Sequence, residues 1–105
     1  MARILLVCSA GMSTSFLVKK MEEAARDKNK DIEIFAVSST EAEEIMVEKE
    51  IDILLLGPQL RFMKDRYEEI VKDKNIPVKV IDNKDYGMMN GKKILEEALE
   101  IIENK

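Results

Sequence analysis

Four short apolar runs alternate with longer segments whose apolar residues recur every three or four positions. The first run, Ile4–Val7, leads directly into Cys8. Leu17, Met21, Ala24 and Ala25 then repeat at helical spacing and predict a helix from near Ser13 to near Lys28. Ile32–Val37 is the second run. Thr40 with Glu43 fits a capping box and predicts a short helix through about Lys49. Ile53–Leu56 is the third run, stopped by Gly57-Pro58. Leu60, Met63, Tyr67, Ile70 and Val71 mark a third helix. Pro77 opens the fourth run, Val78–Ile81. A polar loop follows, and Ile94, Leu95, Ala98, Leu99 and Ile102 mark the last helix. The alternation βαβαβαβα predicts an α/β fold: one four-stranded parallel sheet with helices on both faces.

Strand polarity predicts the order within that sheet. The runs "ILLV" and "ILLL" carry no polar residue, as strands buried on both faces require. The second run contains Glu33 and the fourth contains Lys79, so both belong at edges. The expected order is 2-1-3-4. Right-handed crossovers then leave strand 1 in opposite directions, and the switch point falls between the carboxyl ends of strands 1 and 3. Ligands of open α/β sheets bind at that point, and Cys8 ends strand 1 there.

At 105 residues the chain, residues 1–105, is expected to be a single domain, and 46% apolar residues are enough for a core without disulfides or metals. One cysteine cannot form an internal disulfide. With no histidine either, the usual zinc sites, a histidine base and a phosphohistidine are all excluded from this chain. No metal or cofactor is expected. The net charge of −4 argues against nucleic acid as a partner. No apolar run approaches the roughly 18 residues that span a bilayer, and the N-terminal run lacks the length of a signal peptide. A cytoplasmic location, with the thiol reduced and no insertion into the membrane, is the expectation.

The stretch after Cys8 is "SAGMSTS": Ser9, Ala10, Gly11, Met12, Ser13, Thr14 and Ser15. Small residues between a strand and a helix let backbone N–H groups converge on an anion, helped by the partial positive charge of the helix N-terminus. A thiolate in such a place is a nucleophile, and the same N–H groups would cradle a phosphoryl group on its sulfur. The low-molecular-weight tyrosine phosphatases resemble this architecture and carry Cys-x5-Arg. Counting from Cys8, the Arg position holds Thr14. Without the guanidinium clamp, hydrolysis is expected to be poor. Asp82 lies where that class places its general acid but lacks the following proline, and it reads as a turn or cap residue.

"CSAGMSTS", "LLGPQ" and "YGMMNG", in this order along nearly the whole chain, resemble the lactose/cellobiose-type enzyme IIB of the bacterial sugar phosphotransferase system. The resemblance implies a phosphotransferase in which Cys8 takes a phosphoryl group from a phosphohistidine on enzyme IIA. Cys8 then passes it to a sugar, of the cellobiose or chitobiose kind, held by the membrane component enzyme IIC. It implies that Ser9–Ser15 form the phosphate loop and that the protein meets the membrane only peripherally, through enzyme IIC. The rival readings are a phosphatase or arsenate-reductase-like enzyme using Cys8, and a flavodoxin-type nucleotide or flavin module.

Gly57, Pro58 and Gln59 follow strand 3 and are expected to border the site. Tyr86 and Gly87 precede the last helix at the same end of the sheet, with Tyr86 either bonding near the phosphate or filling the rim. Met12, and Met88 and Met89 at the start of the last helix, are candidate rim contacts for changing partners. Met21 and Met46 sit at core spacing.

Overall fold

A computed structural model describes residues 1–9 and 12–105, with side chains in the first helix from Ser15 onward. The elements in chain order are β1 (Ala2–Cys8), α1 (Met12–Asp27), β2 (Ile32–Ser38), α2 (Ser39–Glu48), β3 (Ile53–Leu56), α3 (Lys64–Val71), β4 (Val78–Val80), α4 (Asn83–Gly87) and α5 (Gly91–Glu103). The four strands form one parallel sheet in the order β2-β1-β3-β4, as strand polarity predicts.

The centre of the sheet is built by alternation. Successive side chains of a strand point to opposite faces. Ile4, Leu6 and Cys8 of β1, with Ile53 and Leu55 of β3, pack with Leu17 and Met21 of α1 and Leu95 and Ala98 of α5. Leu5 and Val7, with Leu54 and Leu56, pack on the other face with Ala42 and Met46 of α2 and Tyr67 and Val71 of α3. Both methionines at core spacing are buried. The edge charges are also accounted for. Arg3 of β1 stands beside its register partner Glu33, Nε to Oε1 3.1 Å, and Lys79 of β4 reaches Glu97 of α5 at 3.5 Å.

Two helical segments end on the same device. "RDKN" after α1 and "KDKN" after α3 each place an asparagine in the left-handed region, Asn29 at φ 56° and Asn75 at φ 57°. Asn tolerates that region better than other non-glycine residues, so it turns the chain sharply toward the next strand.

Four expectations need correction. The Thr40–Glu43 capping box does not form: α2 starts two residues earlier, after Ser38, with no side-chain cap bond. The Ser38 hydroxyl lies 2.8 Å from Thr40 Oγ1 and donates to Glu41 Oε1 at 3.2 Å. Glu43 is held instead by Arg66 of α3, whose Nε and Nη2 donate at 2.8 and 3.1 Å. That guanidinium holds the Glu43 carboxyl below its usual range. Secondly, the third helix is not continuous. Pro58–Met63 form a 3-10 segment in which Leu60 departs from helical geometry, and only Lys64–Val71 is α-helical, followed by a 3-10 turn at Lys72–Lys74. Thirdly, the polar loop after β4 contains α4. Asp82 caps it, its Oδ1 accepting from the N–H groups of Lys84 (2.9 Å) and Asp85 (3.3 Å). Fourthly, Met88 and Met89 lie in the turn before α5 rather than in it. Met89 adopts φ 54°, and Asn90 caps α5 by accepting from the Lys93 N–H at 3.2 Å.

Helices α1 and α5 approach closely at Gly91. A Cβ on Gly91 would lie 2.6 Å from the carbonyl carbon of Lys20 and 2.7 Å from the Met21 nitrogen. Those are backbone atoms and cannot swing aside. Gly91→Ala is therefore expected to push α1 from α5 and to lower stability by about 3 kcal/mol, at the upper end of overpacking costs. Urea unfolding of the variant checks this, and an unshifted midpoint would count against the close approach.

Tyr67 is fully buried, and its hydroxyl has no hydrogen-bond partner among the described residues. Burial, reinforced by the Glu43 carboxylate, raises its phenol pKa above the ordinary value. An acid whose folded pKa is raised favours the folded state below its unfolded pKa, about 10 for tyrosine, and loses that contribution as pH rises through the folded value. Tyr67→Phe removes an unsatisfied group, so it is expected to raise stability by about 1 kcal/mol at neutral pH. Its advantage over wild type should widen above about pH 10. Paired denaturation curves at neutral and alkaline pH measure both effects.

Candidate functional site at the carboxyl end of the sheet

Cys8 is the last residue of β1, and its even-numbered register with Ile4 and Leu6 turns its side chain to the α1/α5 face. It is 3% exposed and belongs to the core cluster of that face. A core thiol and a site thiol are here the same residue, because the core reaches the end of the strand. The helix that follows begins at Met12, so its N-terminus faces the same end of the sheet. An α-helix N-terminus there favours negative charge.

Tyr86 is brought to this sulfur from the far side of the chain. Asp82 caps α4, and the Asp82 carbonyl accepts from the Tyr86 N–H at 2.9 Å. One turn of helix from the cap thus orients the phenol inward. The buried Tyr86 hydroxyl donates to Cys8 Sγ at 3.4 Å. Asp85, its neighbour on α4, is also buried and lies 3.5 Å from Lys93 Nζ, a link between α4 and α5.

Gly57 closes the third side. It sits directly after β3, its N–H donating to the Val7 carbonyl at 2.9 Å. Its backbone, φ −60° and ψ 151°, is open to any residue. Space is what selects glycine: a Cβ would lie 3.3 Å from Cys8 Sγ and 3.6 Å from Tyr86 Cε1. Pro58 is buried behind it, and Gln59 is exposed, its Oε1 2.7 Å from that same hypothetical Cβ.

The sequence-predicted residues therefore divide. Cys8, Gly57 and Tyr86 converge in direct contact distance. Ser9 and Ser15 are exposed beside the strand end and in the first turns of α1, and Gly87 ends α4 on the surface. Met88 is 65% exposed and Met89 half-buried against the α1/α5 core. Ala10, Gly11 and the side chains of Met12, Ser13 and Thr14 lie outside the described residues. Asp82 is a cap, as its turn reading has it. Two exposed aromatics went unnoticed in the sequence. Phe16 in α1 is 50% exposed, with Lys20 Nζ 5.3 Å from its ring, and Phe62, in the segment leaving β3, is 74% exposed. The available signal was phase: each stands one residue before a core position, Leu17 or Met63, and so faces away from the core.

A family model described as "PTS system, Lactose/Cellobiose specific IIB subunit" matches residues 3–97. The oligo-beta-mannoside-specific EIIB component of Bacillus subtilis (strain 168) is 45% identical over 105 residues, all of both chains. The cellobiose-specific EIIB component of Lactococcus lactis subsp. lactis (strain IL1403) is 46% identical over 98 residues, 90% of this chain and 91% of that one. Among solved structures, the cellobiose-specific phosphotransferase IIB component of Borrelia burgdorferi superposes with a TM-score of 0.78 at 47% identity, covering 99% of this chain and 94% of that one. The chain belongs to the lactose/cellobiose-specific IIB family, whose members are phosphotransferases of the sugar phosphotransferase system. Among the described residues, no helix is long and apolar enough to cross a membrane.

Gly57→Ala tests the packing around the sulfur. Gln59 can swing away and Tyr86 stays in ordinary contact, but the Cys8 sulfur must yield by a few tenths of an ångström. The variant is expected to fold, with a loss of about 1 kcal/mol. Cys8 should react more slowly with iodoacetamide, followed by mass spectrometry. An unchanged alkylation rate would show that the methyl group is accommodated without crowding the thiol.

Proposed function

We propose that this chain is a phosphocysteine carrier acting as a single domain over residues 1–105. Cys8 accepts a phosphoryl group from a phosphohistidine on enzyme IIA and passes it to a sugar held by enzyme IIC. The observation that carries this reading is the position of the single thiol: at the carboxyl end of a central strand, ahead of a helix N-terminus, in a chain that contains no histidine. The phosphohistidine must then come from another protein or domain. Ser9–Ser15 are the proposed phosphate loop, with backbone N–H groups cradling the phosphoryl oxygens. With Thr14 at the phosphatase arginine position, the site holds a phosphoryl group without clamping it for attack by water.

Transfer at a few ångströms requires donor and acceptor to approach the same sulfur from the same end. Met12, Gly57–Gln59 and the Tyr86–Met89 segment are the proposed rim, and the exposed Phe16, Phe62 and Met88 supply apolar area suited to partners that must dock and leave. The proposed sugar is a β-linked disaccharide such as cellobiose or chitobiose. The names of the mannoside and cellobiose relatives support that class. A cytoplasmic position, peripheral to the membrane through enzyme IIC, accompanies this role.

The test is labelling with phosphorylated enzyme IIA. Wild type should carry one acid-labile label, mapped to Cys8, while Cys8→Ser should keep its fold and lose acceptance by at least about a hundredfold, because an un-ionised hydroxyl is a far weaker nucleophile. A Cys8→Ser chain that accepts the group at the wild-type rate sinks the mechanism.

A further inference from the structure

The sulfur of Cys8 is not surrounded by apolar atoms alone: a buried hydroxyl is aimed at it. Tyr86 sits on a five-residue helix capped by Asp82, Asp85 of that helix lies 3.5 Å from Lys93 Nζ, and the missing Cβ of Gly57 leaves space beside the sulfur and the phenol ring. The phenol donates to the sulfur at 3.4 Å. Hydrogen bonds to charged groups are worth about twice those between neutral ones. The Tyr86–Sγ bond therefore matters most when the sulfur carries negative charge.

We propose that Tyr86 is a catalytic hydrogen-bond donor to the leaving sulfur, and that it governs release of the phosphoryl group more than its acceptance. The inference rests on Cys8 being the phosphorylated residue. In the accepting step, a sulfur lone pair forms the S–P bond as the P–N bond to the donor imidazole breaks, and the nitrogen keeps the electron pair. In the donating step, the S–P bond breaks and the sulfur departs with the pair as a thiolate. A sugar oxygen takes the phosphoryl group, and its proton passes to a base on the sugar-binding partner. Tyr86 keeps its own proton throughout. In acceptance its effects oppose: donation to the thiolate stabilises the nucleophile but also lowers its reactivity. In release they do not oppose, because charge builds on sulfur only as the S–P bond opens. A preorganised donor aimed at developing charge lowers that barrier.

Hydrolysis of the phosphocysteine expels the same thiolate, so it reads the effect without the membrane partner. Tyr86→Phe keeps the ring and removes the hydroxyl. Its phosphorylated form is expected to live about tenfold longer in buffer than wild type, and to donate to sugar through enzyme IIC about tenfold more slowly. Its rate of acceptance from phosphorylated enzyme IIA should change less than either. A purely structural role predicts the reverse: a loosened site admits water and shortens the lifetime. The opposite perturbation guards against a poorly folding variant. Fluorotyrosine incorporated at Tyr86 in a Tyr67→Phe background makes the hydroxyl a stronger donor and should shorten the phosphocysteine lifetime. If wild type takes the label at Cys8 but Tyr86→Phe releases it at the wild-type rate or faster, the role of Tyr86 is overturned while the carrier reading stands. A wild-type chain with no label at Cys8 overturns both.

Discussion

The register of β1 between its two neighbours decides what Cys8 can touch. Seven residue pairs hold β1 to β2, from Ala2↔Ile32 to Cys8↔Ser38, and four hold it to β3, from Ile4↔Ile53 to Val7↔Leu56. A slip of one residue would turn every side chain of the strand to the opposite face. Cys8 would then look toward α2 and α3, away from Tyr86 and from the α1/α5 core. The slip is prevented by burial on both faces, since Ile4, Leu5, Leu6 and Val7 are all fully enclosed. The chemistry at the strand end is thus held by hydrophobic packing several residues away.

The same economy explains why the thiol is buried. Among the described residues, Gly57 after β3 and Tyr86 on α4 stand beside the sulfur that β1 carries. Each is anchored by backbone hydrogen bonds or by a cap rather than by a flexible side chain. Gly57 is pinned to the Val7 carbonyl, and Tyr86 follows the Asp82 cap by one helical turn. On the carrier reading, a nucleophile so fixed loses little orientational freedom on reaction, which is the kind of positioning from which group transfer gains.

What was legible in the sequence follows from the range of the interactions. Strand order could be read because burial leaves a compositional mark: "ILLV" and "ILLL" are uninterrupted, while Glu33 and Lys79 carry the edge charges that pair with Arg3 and Glu97. Cys8 was legible because a strand end, a switch point and small residues coincide locally. The capping box failed because its acidic member is taken by Arg66, a residue 23 positions away, and no local rule sees that competitor. The α4 helix was hidden because five residues, "NKDYG", are too few to show a helical period, although Asp82 was readable as a cap. Tyr86 was noticed, but its partner was not fixed by the sequence, since 78 residues separate it from Cys8.

The closure of the site also limits how partners reach it. Helices α1 and α5 cover one face of the sheet and α2 and α3 the other, and β2 and β4 flank the centre. Among the described residues, the carboxyl end of the sheet is where Cys8 lies. On the carrier reading, donor and acceptor must therefore use that end in turn, and neither can be selected by a dedicated surface of its own. Apolar contact at Phe16, Phe62 and Met88 suits this better than a fixed set of ion pairs, because it imposes no charge pattern that two unlike partners would both have to match. Two surface ion pairs, Lys72–Glu69 and Lys64–Glu68, lie along α3 and its end and serve that segment locally, while Lys28–Glu96 and Arg66–Glu43 tie neighbouring helices together. Sugar discrimination would then belong to the partner that holds the sugar.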